Sequence, residues 1–513
     1  MRRLDRLIYF LAILKFILPF FLQHPVYEPH RDEFLYLAEG QHPAFGYMEV
    51  PPLLSVFAGL TQLFGSGLFW IKLWPSLIGT LTFILSARVT VSLGGRTFSI
   101  WLLFLSFFFS AFLRVHYLFQ PNFLEVFFYT AIAFGLIRYV QTGKNKWLYV
   151  AGLSAGLGLL SKYSVAFYLV SLGAGLMLSR QRKIFLNKHL YFAAVLGFLI
   201  FLPNLIWQYV NHFPVLHHMG ELRERQLKYV SASGFLTEQL TMFLPCFVVW
   251  IVGLIFLFIS KAARPFIFLG WAYLGVIGIL LWFHGKGYYA LGLYPILLAM
   301  GSYAIEKGTE KSLYFLRYIL CAWLLVIGVL FVFIALPVQA PEKLARTYQK
   351  INAEKTGFLK WEDQENHPLP QDFADMLGWR EAAQKTGAAY NRLSTEDKKN
   401  CMIFCDNYGL AGALNFYRKD YQLPEIYSDN ASFLYWLPAH ADIDNLILLT
   451  DDQEEMQHPF IKDFESAAIA DSITSPYARE HGALIIVMKH ANSRMKDMFN
   501  RKIEKDRERM QDH

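Results

Sequence analysis

Long apolar runs separated by short polar segments dominate the first two thirds of the chain. Their lengths fit the roughly 17–25 apolar residues that a helix needs to cross a bilayer. The run from Ser55 to Phe64 is too short to cross and is more typical of an interfacial helix. The pattern predicts eleven transmembrane helices, over residues 7–22, 70–92, 98–113, 122–140, 148–160, 163–179, 190–209, 236–260, 265–283, 289–305 and 313–336.

From about Pro341 the pattern changes to short apolar runs between polar ones. Residues 402–405, 446–449 and 483–487 are predicted strands, and Tyr408–Tyr417 is a predicted helix. Such alternation favours a small α/β domain, and the charged residues 491–513 predict a polar helix or a frayed tail. We therefore expect an all-α polytopic membrane domain over residues 1–336 and a soluble α/β domain over residues 337–513.

Composition supports this division. The 513 residues are 55% hydrophobic and include 46 Phe, a content that is unusual for soluble domains. Residues 1–336 carry 26 Lys and Arg against 12 Asp and Glu, a net charge of +14, whereas residues 337–513 carry 22 against 29, a net charge of −7. A basic membrane half and an acidic soluble half indicate two compartments and do not indicate nucleic-acid binding. The four cysteines are too few for a disulfide framework.

The distribution of Lys and Arg among the predicted loops gives an orientation. With the N-terminus inside and the first span uncleaved, the cytoplasmic loops hold most of these residues, including Arg180, Arg182, Lys183 and Lys188. Because the number of predicted spans is odd, the soluble domain then lies outside. The long first loop, residues 23–69, lies on the same outer side.

This first loop carries three carboxylates. Asp32 and Glu33 lie at its start, and Glu49 precedes the stiff Pro51-Pro52 pair. Such a group can act as a general base, bind a divalent cation through Glu49, or form a solvated loop surface. Acids beside a bilayer are costly, so we single out Asp32, Glu33 and Glu49 as candidate catalytic residues.

Several cationic and aromatic residues are expected at the same outer face. Lys162 ends a glycine-rich span, and the segment His284–Tyr289 places Lys286 between two glycines and before Tyr288 and Tyr289. Lysine and tyrosine suit a phosphate group, although an interfacial lysine or an aromatic belt would have the same composition.

The outer loop before the fourth predicted span adds Arg114, His116 and Asn122. Glu125 lies about one turn into the next span, where an acid requires a partner, and Arg114 and His116 are the candidate partners. The residues leave open whether such a pair is structural or belongs to a site.

One chemistry requires all these groups at one membrane face. A lipid-linked sugar phosphate places its tail in the bilayer, its phosphate near cations and its sugar outside. Transfer of that sugar to a hydroxyl requires a base, since the hydroxyl is a poor nucleophile at neutral pH. Cations on the phosphate stabilise the charge that develops as it leaves.

The motifs also resemble those of a known family, glycosyltransferase family 39, the dolichyl-phosphate-mannose protein mannosyltransferase-like group with the GT-C membrane fold. This group includes bacterial lipid A aminoarabinose transferases. The likeness covers most of residues 1–305 and is carried by residues 31–38, 46–53, 93–96 and 156–163.

This resemblance implies an inverting transfer from a polyprenyl-phosphate sugar to a lipid, glycan or protein acceptor at the outer face of a bacterial inner membrane. It implies that Asp32 is the base or positions the acceptor, and that Glu49 contacts substrate or metal. It places Lys286–Tyr289 in the carrier-phosphate segment. The chain departs from the family pattern at two positions. Many relatives have Lys after the acid that corresponds to Glu49, whereas this chain has Val50. Many relatives also have Asp in the loop before the fourth span, whereas this chain has Asn122, so that either Asn122 or Glu125 replaces this Asp or its role is absent.

Two other classes of protein remain as alternatives. A transporter or lipid flippase favours broken helices, polar groups at the bilayer midplane and repeated halves, whereas here the acids lie in an outer loop and no repeat is apparent. A sensor would use the soluble domain to bind a ligand, but anchoring alone does not require eleven spans.

Overall fold

The computed structural model of the protein describes residues 2–65, 67–311 and 313–509. Its first part is helical, as predicted, and buries a large core of Phe, Leu and Ile side chains between the helices. The α-helices are α1 (Arg2–Ile17), α2 (Arg31–Glu39), α3 (Leu53–Phe64), α4 (Leu68–Ser92), α5 (Thr97–Phe108), α6 (Phe112–Val115), α7 (Asn122–Thr142), α8 (Lys146–Leu159), α9 (Val165–Leu178), α10 (Lys188–Val210), α11 (Pro214–Arg225), α12 (Ala232–Thr241), α13 (Phe247–Ile259), α14 (Ile267–Trp282), α15 (Tyr294–Gly308) and α16 (Phe315–Ala335).

Each of the eleven predicted segments contains a helix, but fewer of these are full-length spans. Among the described residues, six helices are long and apolar enough to cross a membrane, and a seventh span results if α12 and the helical segment Leu244–Ile259 are taken as one broken span. These two segments bend by 71° at a break that is followed by Pro245. Helices α8 and α9 have 14 residues each, which at 1.5 Å per residue is shorter than a bilayer core of about 30 Å.

The second part is an α/β domain built on one mixed sheet. Its helices are α17 (Pro341–Lys350), α18 (Gln371–Ala374), α19 (Trp379–Asn391), α20 (Thr395–Lys399), α21 (Tyr408–Tyr417) and α22 (Ser493–Arg509), and its strands are β1 (Cys401–Cys405), β2 (Ile426–Tyr427), β3 (Asn445–Thr450), β4 (Phe464–Ser472) and β5 (Leu484–Ala491). The strand order is β2-β1-β3-β5-β4. β1 pairs in parallel with β2 and β3, and β5 pairs antiparallel with β3 and β4.

The predicted strands and the predicted helix Tyr408–Tyr417 are confirmed, whereas β2 and β4 were not predicted. β4 contains Ala467, Ala468 and Ala470 and forms an exposed sheet edge, so it lacks the apolar alternation that marks a half-buried strand. The four cysteines are all free.

Helix α2 lies between the two parts and is buried on two faces. Phe34 packs against Trp379, Phe416 and Tyr417 of the α/β domain, with ring centroids 5.4–6.1 Å apart. Leu37 instead belongs to a cluster of the helical part. A Cβ atom at Gly412 would lie 2.9 Å from the Cβ of Phe34, so a glycine is required where α21 crosses α2. The first long loop, residues 23–69, thus contributes a packed layer between the two parts of the chain.

Candidate active site

Helix α2 carries two of the three predicted carboxylates. At its start the Asp32 amide donates to Nδ1 of His30 at 3.2 Å, and the His30 amide donates to Oε2 of Glu33 at 2.8 Å. This exchange satisfies amide groups that a helix start leaves unpaired. Both acids lie in the first turn, where the positive end of the helix dipole stabilises negative charge.

Asp32 is the accessible member of this pair, with 31% of its side chain exposed. The hydroxyl of Tyr408, from the α/β domain, donates to Oδ1 at 2.8 Å. The amide of Gln120, from the helical part, donates to Oδ2 at 3.1 Å. Burial and the charge of Asp32 raise the pKa of Tyr408, so the phenol keeps its proton and acts as the donor. Each oxygen of Asp32 is therefore held by a different part of the chain.

Glu33, the neighbouring acid, is fully buried. Its oxygens accept from Nζ of Lys72 at 2.5 and 2.6 Å, and Oε1 accepts from the amide of Phe119 at 2.6 Å. Lys72 is also fully buried. This arrangement neutralises both charges away from water and leaves Glu33 with little capacity to contact a substrate.

Glu49 is held by the α/β domain. Its Oε1 accepts from the amide of Ser432 at 2.7 Å, and its Oε2 accepts from the hydroxyl of Ser432 at 2.5 Å. Ser432 lies in the 3₁₀ helix Ala431–Trp436. The two contacts fix the carboxylate at the boundary between the first loop and the α/β domain.

A row of hydrogen bonds leads from Asp32 to Lys162. Oε1 of Gln120 accepts from Nδ2 of Asn122 at 3.4 Å. Oδ1 of Asn122 in turn accepts from Nζ of Lys162 at 2.7 Å. The same Nζ donates to Oε2 of Glu125 at 3.0 Å. The row connects the predicted base to a predicted phosphate-binding cation over a few side chains.

The predicted aromatic pair lies at the end of this row. Nζ of Lys162 is 4.4 Å from the ring centroid of Tyr289 and 5.2 Å from that of Tyr288, within the range of cation–π attraction. Lys286 lies 5.9 Å from the Tyr288 centroid and donates to Oε1 of Gln226. The structure thus brings Lys162, Lys286 and both tyrosines together, as the sequence predicts.

The structure places Arg114 and His116 elsewhere. The predicted partner of Glu125 was one of these two residues, and that prediction is wrong because Glu125 pairs with Lys162. Arg114 forms an ion pair with Asp372 of the α/β domain. His116 is buried, and its Nδ1 lies 3.1 Å from Nζ of Lys15. Neither side chain is hydrogen-bonded to the row between Asp32 and Lys162.

A cluster around His30 has the residue types of a metal site. Nε2 of His30 lies 3.5 Å from Asp372 and 3.7 Å from Asp375, and the three residues are close enough to share an ion. However, Nδ1 of His30 accepts from an amide, so Nε2 carries the proton of the neutral ring and has no lone pair for a metal. Arg114 and Arg479 already pair with the two acids. The residues therefore fit an ion-pair cluster better than a metal centre.

Sequence reasoning missed Tyr408, Gln120 and Lys72. A signal existed for Tyr408, which follows the carboxyl end of a parallel strand, because ligand-contacting residues in α/β sheets gather at that edge. Gln120 and Lys72 lie 88 and 39 residues from their partners on α2. No local pattern indicates contacts over such separations.

Part of the chain that contains several of these residues matches a known protein family. Residues 49–207 match the family described as dolichyl-phosphate-mannose-protein mannosyltransferase, which confirms the resemblance in that part of the chain. No curated protein gives a significant match.

Two solved structures are similar along nearly the whole chain. A crystal structure of ArnT from Cupriavidus metallidurans bound to undecaprenyl phosphate has a TM-score of 0.63 at 13% identity, covering 94% of this chain and 97% of that chain. The apo structure of the same protein has a TM-score of 0.57 at 13% identity, with the same coverage. The predicted fold, a GT-C-like membrane domain followed by an α/β domain, is confirmed.

The Glu33–Lys72 pair gives a testable prediction about stability. Replacing Glu33 by Gln leaves a buried lysine without a counter-charge, which typically costs about 3–5 kcal/mol. We expect a clear drop in the thermal unfolding midpoint of the purified protein in detergent. Glu396→Gln is the matched control, because Glu396 pairs with Lys399 at 2.7 Å on an exposed surface and such pairs contribute about 1 kcal/mol or less. Equal midpoints for the two variants would contradict the structural role of Glu33.

Proposed function

We propose that this protein is a membrane glycosyltransferase that moves a sugar from a polyprenyl-phosphate donor to the hydroxyl group of a lipid, glycan or protein acceptor. The observation that carries this proposal is the row Tyr408–Asp32–Gln120–Asn122–Lys162. In this row an accessible carboxylate is linked to a cation that lies beside two tyrosines. Transfer from a lipid phosphate requires a base and a cation that stabilises the leaving phosphate.

In the proposed reaction Asp32 accepts the proton of the acceptor hydroxyl. The acceptor oxygen forms a bond to the anomeric carbon on the face opposite the phosphate, so the configuration inverts. The bond between the anomeric carbon and the phosphate oxygen breaks, and its electron pair leaves with the polyprenyl phosphate. Lys162, supported by Lys286, stabilises the charge that develops on this phosphate.

Glu49 and Glu33 have different proposed roles. Glu49 is partly exposed and bound to the α/β domain through Ser432, so it is proposed to contact the substrate. Glu33 is proposed to position α2 and thereby Asp32. A divalent cation is not required for the steps described.

The charge distribution supports an outward orientation of the site. Arg180, Arg182, Lys183 and Lys188 lie at or next to the junction between α9 and α10, and by the positive-inside rule this end of the bundle is cytoplasmic. Lys162 lies at the opposite end of α9. We therefore propose that the site and the α/β domain face the periplasm of a bacterial inner membrane.

Replacing Asp32 by Asn tests the role of the base. Asn retains the shape and can still bond Tyr408, but it cannot accept a proton, and general-base catalysis typically contributes about 10²–10⁴-fold in rate. We expect at least a hundredfold lower release of free polyprenyl phosphate from a panel of polyprenyl-phosphate sugars, with an unchanged unfolding midpoint. Asp420→Asn, an exposed site in the α/β domain, is the control. Turnover of the Asp32 variant at the level of this control would refute the role.

Removing the Tyr408 hydroxyl tests the contribution of the α/β domain. Tyr408→Phe frees one oxygen of the base, and a hydrogen bond to a charged group is worth roughly 1.5–3 kcal/mol. We expect kcat to fall by about ten- to a hundredfold while KM for the donor stays within about twofold. Tyr427→Phe removes a hydroxyl that contacts Glu425 at 3.3 Å on the domain surface and should behave as wild type. An unchanged kcat in the Tyr408 variant would show that the domain does not hold the base.

A further inference from the structure

Glu39 is an unusual residue of α2, because it is fully buried and neither of its carboxyl oxygens has a hydrogen-bond partner among the described residues. It follows Asp32 by seven positions and Tyr36 by three. Residues spaced by four and three lie on one face of a helix, so these three side chains share a face. This face differs from the one that carries Phe34 into the α/β domain.

Tyr435 is half-buried and carries a second buried polar group without a partner. Its hydroxyl is unpaired among the described residues, and its ring lies 6.0 Å from that of Trp207 on α10. The 3₁₀ helix that carries Tyr435 is fixed over the first loop by two contacts. Ser432 binds Glu49, and Trp436 stacks on His42 with centroids 4.2 Å apart.

The segment that carries Glu49 contacts the segments of both unpaired groups, because the Tyr47 hydroxyl donates to the backbone carbonyl oxygen of Glu39 at 2.9 Å and Glu49 binds Ser432, three residues before Tyr435. Burial raises the pKa of Glu39 well above its usual range, and the charge of Glu49 raises it further. The same two causes, in the same order, raise the pKa of Tyr435. Both effects favour the neutral form of Glu39 and Tyr435, in which each group can donate as well as accept hydrogen bonds.

Buried polar groups without partners are rare, because each forfeits its hydrogen bonds to water at a cost of about 1–3 kcal/mol. Two such groups, one on the α2 face of the proposed base and one in the 3₁₀ helix that binds Glu49, indicate a ligand that supplies several hydroxyl groups. A sugar ring has this chemistry, since each hydroxyl both donates and accepts.

We propose that Glu39, Tyr435 and Glu49 form the subsite that binds the sugar ring of the lipid-linked donor. This inference rests on the proposed function, and it names the group that the α/β domain recognises. In the subsite Glu39 and Tyr435 exchange hydrogen bonds with ring hydroxyls, and Glu49 accepts from one. The lipid phosphate then lies toward Lys162, beyond Asp32.

The experiment measures the affinity of the full-length protein in lipid nanodiscs for bare and glycosylated lipids. The bare lipid is undecaprenyl phosphate, and the glycosylated lipids carry a hexose or a pentose on the same phosphate. Wild type should bind one glycosylated lipid more tightly than the bare one. Glu39→Met, which removes both polar atoms at similar size, and Tyr435→Phe should each reduce this preference by about three- to tenfold, the loss expected for one hydrogen bond, while their affinity for the bare lipid is unchanged.

Tyr27→Phe is the matched control, because the Tyr27 hydroxyl is also buried and unpaired but lies in a separate cluster with Tyr348 and Phe373. This variant should keep the wild-type preference. If both subsite variants keep it too, or if wild type binds no glycosylated lipid more tightly than the bare lipid, the subsite is overturned. If wild type fails to bind even the bare lipid, the proposed function itself fails, so the two failures are distinguishable.

Discussion

The position of α2 depends on one buried ion pair. Glu33 and Lys72 are both removed from water, and the amides of Phe119 and His30 complete the bonding of the carboxylate. Burying two charges is costly unless the geometry is good and the remaining lone pairs are satisfied, and here both conditions are met. The pair fixes the rotation of α2, and this rotation determines where Asp32 points.

In this orientation, different faces of α2 contact different parts of the structure. Phe34 packs into the α/β domain, Leu37 packs into the helical bundle, and Asp32 and Glu39 lie on a third face. The helical repeat of 3.6 residues separates these faces on nine residues of helix. Helix α2 thereby makes part of the first long loop a rigid support for the proposed chemistry, and rigid elements hold a reactive group more precisely than loops do.

The α/β domain is part of the site in this account and is more than an appended module. Tyr408 contacts the proposed base, Ser432 contacts Glu49, and Asp372 pairs with Arg114. Half-exposed Asp372 pairs with Arg114 and lies 3.5 Å from Nε2 of His30. Although partial burial opposes ionisation, the charge of Arg114 and the contact with His30 hold the pKa of Asp372 below its usual value.

Much of the fold could be predicted from the sequence, because hydrophobic length and periodicity are local properties. The helix Tyr408–Tyr417 and the strand around residues 402–405 agree closely with the prediction. The number of full-length spans could not be predicted, since the bend before Pro245 and the corner between α8 and α9 depend on packing between helices.

Of the candidate site, the residue types could be predicted, but their pairings could not. Glu33 and Asp32 are adjacent in sequence, yet one is fully buried and the other is accessible. His116 resembled a site residue, but its partner is Lys15, which lies 101 positions earlier. Contacts over such separations are determined by the fold and leave no local signature.

The most direct test of the central claim is a cryo-electron microscopy structure of the protein with undecaprenyl phosphate. The account predicts that the phosphate contacts Lys162 and the tyrosine pair Tyr288 and Tyr289, and that Asp32 is accessible on its side toward the α/β domain. A phosphate that is bound away from Lys162, in a position from which Asp32 is inaccessible, would contradict the account.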